Sequence, residues 1–165
     1  MTSDATESSD WDRIEAHYPD DADLTLQVLK GHLLVEEILR DIFELLLSDP
    51  SALRGDRGTS FECHQIICLV QAMSEHSRGE AWLWFAAKRL NGIRNDLAHN
   101  LEPRSLEAKV ASLIQFVTHD NPVVKGILDR LGTPEGMEFK AVILAMCGCL
   151  SSLKRLVLHE KSGAA

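Results

Sequence analysis

An all-α architecture, a single bundle of about five helices with up-down neighbours, is what this sequence predicts. Three observations carry that reading. Apolar residues recur at helical spacings in five successive segments. Capping residues and Pro or Gly breakers fall between those segments. Period-2 runs are absent, and the one Asn-Gly pair, Asn91-Gly92, sits inside a helical pattern rather than between alternating strands.

The first helix is predicted from Asp23 to Leu47, with Asp23 as its N-cap. Leu26, Leu29, Leu33, Ile38, Ile42 and Leu45 are its expected inward residues. Asp49-Pro50 ends it, and Gly55 and Gly58 mark a loop. The second helix spans about Ser60 to Ser74, with Phe61, Ile66, Ile67, Val70 and Met73 inward. Ser77-Arg78-Gly79 punctuates. The third runs from Glu80 to His99 on the stripe Leu83, Ala86, Leu90, Ile93 and Leu97. Pro103 suits the first turn of a fourth helix that continues to His119. Asn121-Pro122 breaks it, and a short turn from Val123 leads to Leu131 and Gly132. Thr133-Pro134-Glu135 then reads as the cap and first turn of a last helix ending near His159.

The chain has 165 residues, 45% hydrophobic and 25% charged, which suits one globular domain. Its net charge of −8 is unevenly placed. Residues 1–23 hold eight acids against the single base Arg13, and the remainder is nearly neutral. Residues 1–22 are therefore expected to form an acidic tail, mobile at its start, ahead of a helical domain over 23–160. An acidic chain does not invite non-specific nucleic-acid binding, although a local basic patch can still act. Apolar stretches are broken by charge, so no membrane-spanning segment is expected, and with no basic-then-apolar opening a secretory leader is not expected either. The four cysteines, Cys63, Cys68, Cys147 and Cys149, are expected as reduced thiols of a cytoplasmic protein.

The segment Leu90-Asn91-Gly92-Ile93-Arg94-Asn95-Asp96-Leu97-Ala98-His99 carries the chemistry. At about 100° per residue, Asn91, Arg94, Asn95, Ala98 and His99 share an arc of roughly 140°, opposite the apolar stripe. Trp84 and Lys88 fall further up the same face, so Leu83 is assigned to the core and Trp84 to the site face. Arg94 offers a planar donor fork for phosphate oxygens. His99 titrates near neutrality and can move a proton. Asn95 can orient either partner. No dense carboxylate cluster adjoins them, which argues against a two-metal nuclease. The chemistry that fits is RNA cleavage without a metal, in which the ribose 2′-hydroxyl attacks the adjacent phosphate. Since one His does not easily serve as base and acid in a concerted step, a two-fold dimer bringing two copies of Arg94 and His99 together is expected. The face around Trp84, Asn91 and Ala98 is its candidate contact, and Asn91, Lys88, Trp84 and Asp96 are the candidate RNA-binding or interface residues. Asp96 lies off the main arc, as a solvated residue or an orienting partner across the interface.

An Arg, a polar residue, three further positions and a His on a late helix of a small α-bundle resembles the HEPN superfamily. Arg94, Asn95 and His99 match that signature. Leu90-Asn91, Ala98 and the first-helix run Gly31-His32-Leu33-Leu34-Val35-Glu36-Glu37 are also similar to many members. The resemblance covers residues 24–120. It implies a dimeric helical protein, often a metal-independent ribonuclease acting as a toxin or defence effector, with no cofactor. Its implied partners are RNA, a second copy of the chain, and an antitoxin or regulatory protein. Other members are non-catalytic RNA-binding or regulatory modules, among them relatives of the mannitol operon repressor. One departure stands out. Toxins paired with a nucleotidyltransferase antitoxin often carry Tyr two residues after the His, where this chain has Leu101.

Blander readings compete at several positions. Arg94 could pair with Asp96 or Glu102, and His99 could complement the helix dipole. Cys63 and Cys68 lie about 140° apart on a helix, and Cys147 and Cys149 about 200°, so no convergent zinc site and no metal is expected. His32 and Glu36, at i and i+4, read chiefly as a surface pair, with support of the site as the second option. The late-helix stripe Val142, Ile143, Met146, Cys149, Leu150, Leu153, Leu156 and Val157 is assigned to core or dimer packing. Two main functions remain open: a HEPN-like ribonuclease, or the same bundle binding RNA or protein without turnover. A purely structural interaction protein comes third, because an idle polar cluster costs packing energy.

Overall fold

A computed structural model describes residues 10, 12–19, 23–53, 60–100, 105–119, 121–132 and 136–163. Among them no strand occurs. Residues 12–17 form a short helix, α1. The bundle then comprises α2 (Leu24–Leu46), α3 (Cys63–Met73), α4 (Ala81–His99), α5 (Leu106–His119), α6 (Pro122–Leu131) and α7 (Glu138–Gly163), with 3-10 turns at Pro50–Leu53 and Glu75–Gly79.

Local chemistry sets these limits. Asp23 caps α2 by accepting from the Leu26 amide at 3.0 Å. Such a cap contributes about 1 kcal/mol. Glu62 and Gln65 form a reciprocal capping box at the start of α3. The turn expected over 123–131 is a full helix instead. Asn121 Oδ1 accepts from the Val124 amide at 3.0 Å, and Pro122 supplies a pre-set first turn. Pro103, the Thr133-Pro134-Glu135 cap and the loop glycines Gly55 and Gly58 lie outside the described residues.

Helices α2 and α7 make the most extensive packing in the molecule. They run parallel: Gly31 meets Ile143, Asp41 meets Lys154, and Lys161 reaches the carbonyls of Leu45 and Leu47. The sequence neighbours α4 and α5 are antiparallel, since Asp96 pairs with Lys109 while Phe85 stacks on Phe116. Val28, Ile42, Leu90, Leu113, Ile143 and Leu150 are fully buried where these helices meet. Burying one such side chain contributes roughly 1.5–3 kcal/mol.

Three expectations are corrected here. Leu26 and Leu33, read as inward, are 40% and 50% exposed. They are seven residues apart on the one face of α2 that α3, α4 and α7 leave uncovered. Helix α7 contains an 18-residue stretch apolar enough to cross a membrane by length and composition, with mean hydropathy 1.8, contrary to the reading that no segment is. Its apolar stripe is packed inside the bundle, Val142, Met146, Cys147 and Leu150 being fully buried. Finally, part of the expected tail belongs to the body. Ile14 and Tyr18 join the core, and Asp10 is buried against α7. Arg13 ties α1 to Glu37 of α2. Alternating charge in 10–18 hid an amphipathic turn. All four cysteines are free.

Candidate functional site

Helix α4 presents its polar arc as the sequence spacing requires. The helix ends just beyond His99, where Asn100 turns back and donates both its backbone and side-chain N–H groups to the Asp96 carbonyl. Arg94, Asn95 and His99 are exposed, and Arg94 Nη1 donates to Asn95 Oδ1 at 3.2 Å. With Asn91 they line one cavity of about 400 Å³, bounded by α4, α2 and the chain entering α3.

The opposite wall comes from α2. His32 is buried, and its Nε2 lies 3.1 Å from Asn91 Oδ1. An amide oxygen only accepts, so Nε2 carries the proton and Nδ1 keeps its lone pair. Nδ1 lies 3.5 Å from Glu36 Oε2 and has no hydrogen-bond partner among the described residues. Glu36 Oε1 accepts from Arg40 Nε at 3.0 Å and Nη2 at 2.5 Å. The same Nη2 donates to the Phe61 carbonyl at 3.1 Å, which fixes the approach to α3. Burial pulls the His32 pKa below its ordinary value, although the bond to Asn91 and the nearby Glu36 charge oppose that shift. Burial, reinforced by Glu36, pushes the Cys63 thiol up to about 12.

The fold thus brings together Arg94, Asn95, His99 and Asn91, but it separates the other candidates. Asn91 is an internal anchor, 6% exposed, rather than a surface contact. Trp84, assigned to the site face, is 1% exposed, and its indole N–H donates to the Ser77 carbonyl at 3.0 Å. At that height the 3-10 turn and α7 cover the face. Trp84 and Asn91 therefore cannot form the flat dimer contact expected of them. Lys88 is drawn to Gln71 Oε1 at 2.8 Å, because α3 packs alongside, and it does not line the cavity. Asp96 pairs with Lys109 of α5 at 2.5 Å, on the far side of α4. It does not pair with Arg94.

Several contributors to the cavity were not assigned to the site, among them His32, Glu36, Arg40 and Cys63. His32-Glu36-Arg40 at successive i, i+4 spacings was the available signal. The pair read as solvent dressing is largely enclosed, its side chains 4% and 18% exposed.

Fold and site together define an all-α bundle with a polar cavity whose rim offers a guanidinium, an amide and an imidazole to an anion. Compared with known protein families, curated proteins and solved structures, the chain matches none.

Proposed function

We propose that this protein is an endoribonuclease of the HEPN type, acting as a homodimer, in a toxin or defence role. The observation that carries the reading is the shared opening of Arg94, Asn95 and His99 into one cavity. The ribose 2′-hydroxyl attacks the adjacent phosphate, the bond to the 5′-oxygen breaks, and a cyclic phosphate and a 5′-hydroxyl result. Arg94 stabilises the charge that develops on the phosphorane oxygens. His99 takes the proton from the 2′-hydroxyl or returns one to the leaving oxygen, and a second copy of the site supplies the other transfer. Asn95 holds Arg94 in place through their hydrogen bond. No metal ion takes part in the chemical step.

The test is RNA cleavage in EDTA, with end-group analysis, by the wild type, His99→Ala and Arg94→Ala. Wild-type product should end in a cyclic phosphate. Each variant should lose about 100-fold or more in rate, the scale of a proton-transfer or charge-stabilising group. A folded dimer that cleaves no RNA would leave the binding or regulatory module as the better account of this cavity.

A further inference from the structure

The α2 wall of the cavity holds a donor set that RNA cleavage does not use. A ring nitrogen of His32, a Glu36 carboxylate oxygen and Cys63 Sγ all lie within 4.8 Å of one another. His32 is 3% exposed, and its Nδ1 is a buried lone pair without a partner among the described residues. The lone pair faces Glu36 Oε2 at 3.5 Å. Two acceptors so placed repel unless a proton or a metal cation stands between them. The supports around them resemble those of a ligand shell. Asn91 takes the His32 Nε2–H, which aims Nδ1 inward, and Arg40 holds Glu36 by Oε1, which leaves Oε2 free.

We infer that His32, Glu36 and Cys63 form a site for one thiophilic divalent ion of the zinc type, its fourth position open to the cavity. The donor chemistry selects the ion. Imidazole and thiolate together disfavour magnesium and calcium, which prefer oxygen, and three protein ligands plus water are a familiar zinc set. Bonds of about 2.0–2.3 Å place tetrahedral ligand atoms roughly 3.3–3.7 Å apart. The His32–Glu36 separation already meets that span, and Cys63 closes by about 1 Å through movement of its side chain. On coordination the thiol gives its proton to solvent and binds as thiolate. The ion would tie the first residue of α3 to α2 and hold the wall opposite Arg94. This inference does not rest on the ribonuclease reading.

Metal-stripped full-length protein is titrated with Co²⁺ and then Zn²⁺, without RNA. One equivalent of Co²⁺ should produce a thiolate-to-cobalt charge-transfer band and intense visible bands of a tetrahedral site, and Zn²⁺ should displace both. Cys63→Ser should abolish the charge-transfer band. Asn91→Ala should weaken Zn²⁺ binding by about 10–100-fold, as loss of a group orienting a ligand does. Cys68→Ser should change nothing, and it controls for the neighbouring Cys68–His64 pair of α3, 3.7 Å apart. The absence of a charge-transfer band in the wild type would overturn the site, whatever the variants do. So would a band that survives Cys63→Ser or disappears in Cys68→Ser.

Discussion

Two polar clusters are buried in this bundle, and they are built on opposite plans. Where α1, α2 and α7 meet, Asp10 accepts from Ser151 Oγ at 3.0 Å and from Lys154 Nζ at 3.2 Å. The same Nζ donates to Asp41 at 2.9 Å. One ammonium serves two carboxylates there, each named group is paired, and none of its residues lines the 400 Å³ cavity. Where α2, α3 and α4 meet, His32 is paired on one ring nitrogen only, and the other faces the cavity. The first cluster is a staple. The second spends burial energy on groups left ready for a ligand. Satisfaction of hydrogen bonds, rather than polarity or burial, distinguishes the two.

The sharpest test of this contrast is Lys154→Ala. It strips the cation from two carboxylates and leaves the buried Asp10 charge with only the Ser151 hydroxyl. The expected loss is on the order of 3 kcal/mol. It should appear as a lower urea midpoint with an unchanged slope. An unchanged midpoint would mean that the staple does not hold in solution. The same staple makes deletion of residues 1–22 costly, since that removes Asp10, Ile14 and Tyr18 together.

Asn91→Ala should cost less, about 1–3 kcal/mol, the penalty of leaving the buried His32 N–H unpaired. His99→Ala and Arg94→Ala, at exposed positions, should stay within about 0.5 kcal/mol of wild type while losing cleavage. Thermal melts beside rate measurements would show the split. If the two rim variants melt as early as Asn91→Ala, the division into anchor and acting groups is wrong.

A glycine pair on the two helices gives a smaller, signed effect. A Cβ at Gly31 would meet Ile143 Cδ1 and Cγ1 at 3.0 Å, whereas one at Gly92 meets nothing within 4 Å. Gly31→Ala should destabilise by roughly 1–2 kcal/mol through overpacking of α2 on α7. Gly92→Ala should stabilise by up to about 1 kcal/mol. Calorimetry of both variants reads the difference in sign directly.

The smallest effect is in pH. Burial alone lowers the Lys154 pKa, but hydrogen bonds to Asp41 and Asp10 outweigh it, and the net shift is upward from 10.5. A base with a raised folded-state pKa contributes stability that is fully present below its unfolded value and is lost as pH rises through the folded one. The stability gap between wild type and Lys154→Ala should therefore hold at neutral pH and narrow above pH 10.5. A gap constant with pH would show that packing, not charge, accounts for it.

Helical class, the approximate limits of α2, α3, α4 and α7, and the arc of Asn91, Arg94, Asn95 and His99 were legible in the sequence alone. These depend on periodicity and capping within one segment, where the causes are neighbours in the chain. Which face of each helix is covered was less legible. A helical wheel places Trp84 beside Asn91 in angle, but it does not know that the 3-10 turn and α7 cover the upper end of α4. Lys88 is drawn off the cavity by Gln71 of α3, whereas Asp96, read as lying off the arc, does lie off it and pairs with Lys109 of α5. The pairing of His32 with Asn91, the gathering of Cys63 beside His32 and Glu36, and the burial of Asp10 against Lys154 join residues up to 144 positions apart, on elements that meet only after packing. Spacing along a helix fixes direction about its axis. Only the tertiary structure decides what stands in that direction, because a neighbour's position is set by the packing of the whole core.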